Sequence, residues 1–447
     1  MPESPRRPPL PLPLAVLVAL PGASFGAATY LGLPHPDLAP PLAALIYGLA
    51  IIGAAFILAW AAEAAQVDIS GGLALAVLAL LAVLPEYAVD FVFSFRAGQV
   101  YEETGTCQPG PDGASPCSLA LANMTGANRV LVGVGWPLVV LAATLAVLRS
   151  RRKGGDGSAS THVGCVQMPR KMAPEVVFLG LATLYSLTLP LRHTLTLVDA
   201  AVLVSIFVGY AWRLAQAPTD KPDLLGTAKW VGTMSRAPRR WTVSGMFVIA
   251  ALVILAAAEH FAEGLVATGS ELGVNPFILV QWVAPLASES PELIVACLYA
   301  WRLKAGDSLG TLLSSKVNQW TLLVGTIPIV FASAGSTTDG LPLDEQQRYE
   351  LLLTAAQSLF AVSILVSLAL TVRGAVALLV LFLVQFVSSL TLSAAADRVI
   401  VVALSVLYGL LAIVRLVRHR REFVQLTRDG LVAPFEELTK TGQRKAG

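Results

Sequence analysis

The chain has 447 residues, of which 55% are hydrophobic and 13% are Asp, Glu, Lys or Arg; its formal net charge is +2 and its mean hydropathy +0.69. A soluble domain carries about 25% charged residues, so a soluble enzyme is excluded, and the near-neutral charge is too small to imply a nucleic-acid partner. What remains is a polytopic membrane protein, because a spanning helix takes ~20 apolar residues and roughly a dozen fit in this length.

Apolar runs long enough to span fall at 10–31, 42–64, 72–95, 119–148, 173–191, 195–215, 243–266, 276–301, 309–333, 350–372, 374–395 and 398–417. The first run has two readings. Arg6 and Arg7 followed by Leu14–Leu20 and Ala23-Ser24-Phe25-Gly26 fit a signal peptide, but the apolar stretch continues to Leu33, long enough to cross. We expect about twelve transmembrane helices.

Sorting the basic residues fixes the orientation. With a cytoplasmic N-terminus and alternating spans, 25 of the 31 Lys and Arg fall inside; Arg96, Arg192, Arg348 and Arg398 fall outside, and Arg129 and Lys316 lie within spans. That asymmetry is the positive-inside pattern of a correct topology, and it places both termini in the cytoplasm. Cys107 and Cys117 then share one outward loop, Thr104–Ser118, where a disulfide or two unpaired thiols are the alternatives. The acidic loop Asp339–Glu350 also faces out. The segment 150–172, with Gly154-Gly155-Asp156-Gly157-Ser158, reads as a flexible basic linker, and 418–447 as a charged, disordered or amphipathic tail.

Two stretches share one design. In the first, Glu63 precedes an apolar helix carrying Leu84-Pro85-Glu86, followed by a helix opening Leu121-Ala122-Asn123-Met124-Thr125-Gly126-Ala127-Asn128. In the second, Glu263-Gly264 precedes a helix carrying Ser290-Pro291-Glu292, followed by Leu309-Gly310-Thr311-Leu312-Leu313-Ser314-Ser315-Lys316. The charge sorting runs the first Pro-Glu helix outward and the second inward, so the repeats are inverted, an architecture many secondary transporters share. The chain divides into an N-terminal extra helix (1–36), a first repeat of five helices (37–215, motif region 72–148), a basic linker (216–242), a second repeat (243–396, motif region 276–333), an extra C-terminal helix (397–417) and a tail (418–447).

Each motif carries chemistry. A proline inside a spanning helix frees the carbonyl four residues back, here Leu81 and Ala287, and freed carbonyls at membrane depth face protein or a wet cavity where they can ligate a cation. Glu86 and Glu292 are placed roughly 14–17 residues into their helices, ~21–26 Å along the axis, where an ionised carboxylate demands a partner. Asp90 is one turn from Glu86 on the same face and serves either as an entry-path ligand or as an interfacial charge. Asn123, Thr125 and Ser315 are polar groups on the facing helices, available as ligands or as helix–helix hydrogen bonds. Glu259 and Glu263 flank His260, a candidate pH sensor or a hydrated helix end. Arg129 is expected to pair with a carboxylate, and Glu63 to sit at the cytoplasmic mouth.

These motifs resemble the alpha repeats of the calcium/cation antiporter superfamily, the sodium/calcium exchanger-like membrane proteins, in which a Gly-Thr-Ser-x-Pro-Glu helix precedes a Gly-Asn-x-x-Gly-Ser-Asn helix. The resemblance implies an all-α fold with a ten-helix exchanger core of inverted repeats plus one extra helix at each end. It matches Glu86 and Glu292 to the central cation-binding glutamates and Asn128 to the Asn ligand of the first repeat. The family's Thr and Ser ligands are replaced by Ala82 and Val83 in the first repeat and by Ser288 and Glu289 in the second, and Lys316 holds the second-repeat Asn or Asp position. Calcium takes six to eight oxygens, and this set offers fewer oxygens plus an ammonium. Lys316 either pairs with Glu292 or Glu289 and stands in for a bound cation, which gives a route to proton exchange, or neutralises Glu289 and leaves a reduced site.

The resemblance implies a secondary active antiporter exchanging Ca2+ or Na+ for H+ or Na+ by alternating access, with a passive cation channel or a non-transporting member of the fold as alternatives. No Gly-x-x-x-x-Gly-Lys-Ser/Thr loop and no complete His-Glu-x-x-His motif is present, so an ATP-driven pump or a metalloprotease is not expected. The expected partners are the lipid bilayer, inorganic cations and protons, with no cofactor and no nucleic acid, in a cell membrane resembling the bacterial inner membrane.

Overall fold

The computed structural model describes residues 9–68, 83–107, 115–152, 161–218 and 224–440. Its helices are α1 (Pro11–Tyr30), α2 (Pro40–Ala65), α3 (Leu84–Thr104), α4 (Pro116–Arg152), α5 (Ala173–Ser186), α6 (Leu197–Leu214), α7 (Gly226–Gly232), α8 (Arg236–Leu272), α9 (Pro276–Trp301), α10 (Ala305–Ala334), α11 (Glu345–Leu365), α12 (Val372–Thr391), α13 (Ala394–Arg418), α14 (Arg420–Leu431) and α15 (Phe435–Lys440). Nine helical segments among the described residues are long and apolar enough to cross a membrane. The helices α3, α9 and α11, which hold Glu86, Glu289, Glu292 and Glu350, are not among those nine. Their polar residues dilute the apolar signal, and that dilution is itself a functional pointer.

The chain forms two compact units, the first comprising 1–123, 214–291 and 333–336, the second 124–213, 292–332 and 337–447. In the first unit, α2 lies along α8 over a core of Ala54, Ile57, Leu58, Ala61, Ala62, Val243, Met246, Ala250 and Ile254. Small residues set this spacing. A Cβ on Gly264 would stand 2.8 Å from the backbone nitrogen of Ala44, and one on Gly26 of α1 would stand 2.0 Å from the Ala256 carbonyl oxygen. Close backbone approach through glycine is how membrane helices gain van der Waals contact without help from the hydrophobic effect.

The second unit packs α5 against α10 and α11, and α11 against α13. Short strands join its connecting segments. Strand β1 (Thr161–His162) pairs with β2 (Cys165–Gln167), which pairs with β5 (Ala369–Thr371), while β3 (Thr194–Leu195) pairs with β4 (Leu341–Pro342). The end of the segment read as a flexible linker is therefore strand-paired. Within the tail, Arg420–Leu431 and Phe435–Lys440 form α14 and α15. Buried Arg213 donates to the carbonyls of Gly430, Asp429 and Ala433 at the C-terminal end of α14, and Arg170 forms a two-pronged ion pair with Asp429. The carbonyls left over at a helix end attract cations, which is what the guanidinium supplies.

Strand pairing and ion pairing outside the lipid require both partners on one side. β2 with β5, β3 with β4, Arg170 with Asp429, and Asp68 with Arg239 each join segments that the charge sorting had put on the same side. The helix bounds shift in places. α11 begins at Glu345, earlier than the apolar run, because Asp344 and Gln347 close a capping box, and it ends at Leu365 ahead of β5.

Asp68, past the end of α2, accepts from Arg239 at 2.7 and 2.8 Å, with Arg240 at 3.4 Å. Hydrogen bonds from Arg239, with the charges of Arg239 and Arg240 adding, hold its carboxyl below the usual carboxylate range. A carboxyl lowered in the folded state stabilises the fold above its unfolded value, near 3.9, and loses that contribution as pH falls through the folded one. Asp68→Asn is thus expected to cost about 1–2 kcal/mol in thermal unfolding at pH 7, with the gap to wild type closing below about pH 4.

Candidate functional site

The first unit supplies one set of polar side chains. Glu86 lies in the first turn of α3 and is 1% exposed. This corrects the placement of Pro85 and Glu86 deep inside a helix: the described helix starts at Leu84, with Pro85 in its first turn, where a missing N–H costs nothing. Leu81 and Ala82 lie outside the described residues. The N-terminus of α3 favours the Glu86 carboxylate through the aligned peptide dipoles. One turn on, Asp90 is 2% exposed, and its Oδ1 accepts from Asn123 Nδ2 of α4 at 2.8 Å. On α9, Ser288 donates to the Ala284 carbonyl at 3.3 Å, and Glu289 is fully buried. Pro291 does lie inside α9 as expected, and so does Pro285.

A second cluster of the first unit centres on Arg96 of α3, which reaches Glu259 at 3.2 Å and also pairs with Glu263, both on α8. Tyr30 of α1 donates to Glu259 at 2.7 Å, and the His260 ring lies 5.6 Å from the Tyr30 ring and 5.0 Å from that of Tyr47. The Glu259-His260-Glu263 triplet is therefore tied to one guanidinium. In the adjoining loop, Cys107 and Cys117 are joined as a disulfide with Cα atoms 5.8 Å apart.

The second unit supplies the other set. Glu292 is half-buried, with the Ser315 hydroxyl of α10 beside its carboxylate, and Gln319 Nε2 donates to Ser315 Oγ at 3.5 Å. Lys316 is fully buried: its Nζ donates to the backbone carbonyl of Asn128 at 3.1 Å and stands 5.0 Å from the centre of the Trp320 ring. Lys316 and Asn128, set at matching positions of the two repeats, therefore touch. The Asn128 amide donates to the Met124 carbonyl at 2.9 Å, and its Oδ1 has no hydrogen-bond partner among the described residues. Thr125 is buried and lends its carbonyl to Arg129 Nε at 3.1 Å.

One feature escaped the sequence reading. A five-residue π turn begins three residues after Asn128, at Leu131–Gly135, and another begins three residues after Lys316, at Gln319–Leu323. Such turns are rare and cluster at functional positions; here they mark the two motif positions as equivalents. No residue signature announces them, although Gly133 permits one, since a Cβ there would meet Phe382 at 2.4 Å.

The partner of Arg129 is Glu350 of α11, at 2.5 Å, with both side chains at most 6% exposed. Glu350 is thereby removed from the outward acidic loop assigned to it, and its proximity to Arg129 explains why: a buried charge is kept only when paired. Arg129→Met is expected to lower stability by about 3–5 kcal/mol, measured as thermal unfolding in detergent, and Arg129→Met with Glu350→Gln to recover most of that loss.

A family described as "Sodium/calcium exchanger protein" matches residues 40–215 and again 242–417. The chain belongs to this family. The crystal structure of the H+/Ca2+ exchanger CAX is 37% identical, covers 96% of this chain and 98% of its own, and superposes with a TM-score of 0.79. The Ca2+/H+ antiporter protein YfkE shares the fold at 13% identity, covering 84% of this chain and 98% of its own with a TM-score of 0.56. The putative antiporter CaxA of Alkalimonas amylolytica is 28% identical over 96 residues, which is 20% of this chain and 30% of that protein's length. The family match and the run of apolar helices make this a multi-pass membrane protein of the ion-antiporter class, with the repeated helical exchanger fold.

Proposed function

We propose that this protein is a secondary active antiporter that moves Ca2+ in exchange for H+ by alternating access, with Glu86 and Glu292 as the carboxylates that hold the cation. The observation that carries the reading is the pair of matching constellations: a buried or half-buried Pro-Glu carboxylate in each repeat, and Asn128 and Lys316 each followed at the same offset by a π turn. The 37%-identical relative is itself an H+/Ca2+ exchanger over nearly its whole length. Ser288 and Glu289 in the first unit, and Thr125, Asn128 and Ser315 in the second, are further candidate ligands in this reading; the 25-to-4 charge asymmetry supports cytoplasmic termini, and the membrane in this reading is a bacterial inner membrane.

Lys316 favours a second reading, a non-transporting member of the fold, because an ammonium occupies the position of an oxygen ligand. Reconstitution into vesicles separates the two. With an acid lumen as the driving gradient, the antiporter takes up 45Ca2+, alkalinises the lumen in proportion as protons leave, and is accelerated by calcium on the far side. A non-transporting protein shows no flux, and a passive channel shows flux without that trans-stimulation.

A further inference from the structure

Within the first unit, three buried oxygens have no hydrogen-bond partner among the described residues: Asp90 Oδ2, Ser94 Oγ and Asn123 Oδ1. Asp90 and Ser94 are one turn apart on α3, and Asn123 is tied to Asp90 through its other amide atom at 2.8 Å. All three side chains are at most 2% exposed. No Lys, Arg or His is ion-paired with Asp90 among the described residues. On α3 the ionisable neighbours are Glu86, one turn back, and Tyr87, which stands near both carboxyls. The helices packed on α3 bring their ionisable groups elsewhere: Glu259, His260 and Glu263 of α8 gather with Arg96, Tyr47 of α2 lies against His260, Glu63 lies in the last turn of α2, and α4 contributes the neutral Asn123. Among the described residues, a carboxylate so placed has one neutral donor and no ion-paired counter-charge, so it requires a cation or a proton.

We infer that Asp90 is a proton-carrying carboxyl of the exchange cycle, distinct from the Glu86 and Glu292 carboxylates, with Asn123 positioning it and Ser94 receiving the hydrogen bond of its protonated form. Asp90, Ser94 and Asn123 offer four side-chain oxygens between them, short of the six to eight that calcium takes. A proton needs one acceptor, and the O–H it creates at Oδ2 supplies a donor to an oxygen that otherwise has none. In the cycle the proton leaves Oδ2 for bulk water when the site is open to that side, leaving the carboxylate held by Asn123, and another is taken from water on the opposite side. The inference rests on the antiport reading for the role of the proton, and on the first unit alone for its location.

The test measures pH-gradient-driven 45Ca2+ uptake and 45Ca2+ self-exchange at fixed pH in the same vesicles. For Asp90→Asn, the ratio of driven uptake to self-exchange is expected to fall at least tenfold, and the uptake-versus-pH curve to flatten. Asn123→Ala removes the donor that favours the charged form, so its uptake midpoint is expected to move about one pH unit alkaline, while Ser94→Ala keeps a pH-dependent curve. An unchanged ratio in Asp90→Asn overturns the inference, as does a sodium dependence lost in place of the pH dependence. Should wild type show neither flux, the antiport reading fails. Infrared difference spectra of purified protein then decide the assignment separately: a protonated-carboxyl band that titrates in wild type and is missing in Asp90→Asn upholds it, and identical spectra overturn it.

Discussion

Glu292→Gln is expected to reduce calcium exchange at least 100-fold, and Glu86→Gln to do the same, with neither variant less thermostable than wild type. The amide keeps the volume and shape of the carboxyl, so packing is unaltered. What is lost is one negative charge and one oxygen where a hard divalent cation takes carboxylate and carbonyl oxygens, and a 100-fold loss corresponds to about 2.7 kcal/mol of differential interaction. Stability moves the other way because removing charge from a low-dielectric interior relieves a desolvation cost. Oε2 of Glu292 has no hydrogen-bond partner among the described residues, so the substitution breaks no structural bond at that atom. This pairing of dead flux with intact or raised Tm separates a ligand from a scaffold residue. Glu292→Gln protein that transports at half the wild-type rate or better defeats the assignment, whereas a fall in Tm with the loss of flux would make Glu292 a structural residue.

The membrane-crossing helices were legible because their signal is additive: twenty apolar residues outvote any local irregularity, and nine of the expected spans recur as long apolar helices. The expected orientation rests on the same kind of averaging, since 31 basic residues outweigh single exceptions. What was not legible depends on single residues or on partners distant in sequence. Pro85 reads alike inside a helix or in its first turn, and the turn at Val83 decides it. Strands of two and three residues, such as β3 and β4, have no periodicity to detect and exist because the other partner is present. Arg129 announced a need for a carboxylate, but Glu350, 221 residues on, was hidden by the acidic loop preceding it. The tail from Arg420 looked merely charged, and its order follows from Arg170 and Arg213 reaching it. Among the site residues, the matched Glu, Asn and Lys positions were visible as a repeat, whereas Ser94 carried no signal beyond lying one turn from Asp90.

Lys316→Asn is expected to raise apparent calcium affinity about tenfold and to weaken, without abolishing, the dependence of uptake on pH between 6 and 8. The wild-type ammonium is fully buried, with the Asn128 carbonyl at 3.1 Å and the face of Trp320 at 5.0 Å. In the proposed antiport, a buried ammonium at a ligand position competes with an incoming cation through like-charge repulsion that the interior screens poorly, and loss of its proton relieves that repulsion, which would link cation entry to proton release. Asparagine removes the fixed charge and adds an amide oxygen, which both strengthens calcium binding and cuts the link. Lys316→Met isolates the two effects, because it removes the charge without adding a ligand. It is expected to weaken the pH dependence to the same extent while gaining less than threefold in affinity. Stability should change by about 1 kcal/mol or less in both, since a lost cation–π contact and hydrogen bond are offset by the relief of burying a charge. If Lys316→Asn keeps the wild-type pH profile and proton-to-calcium ratio, then the lysine serves to hold α10 against α4, and the proton coupling proposed here has to be carried by carboxyls alone.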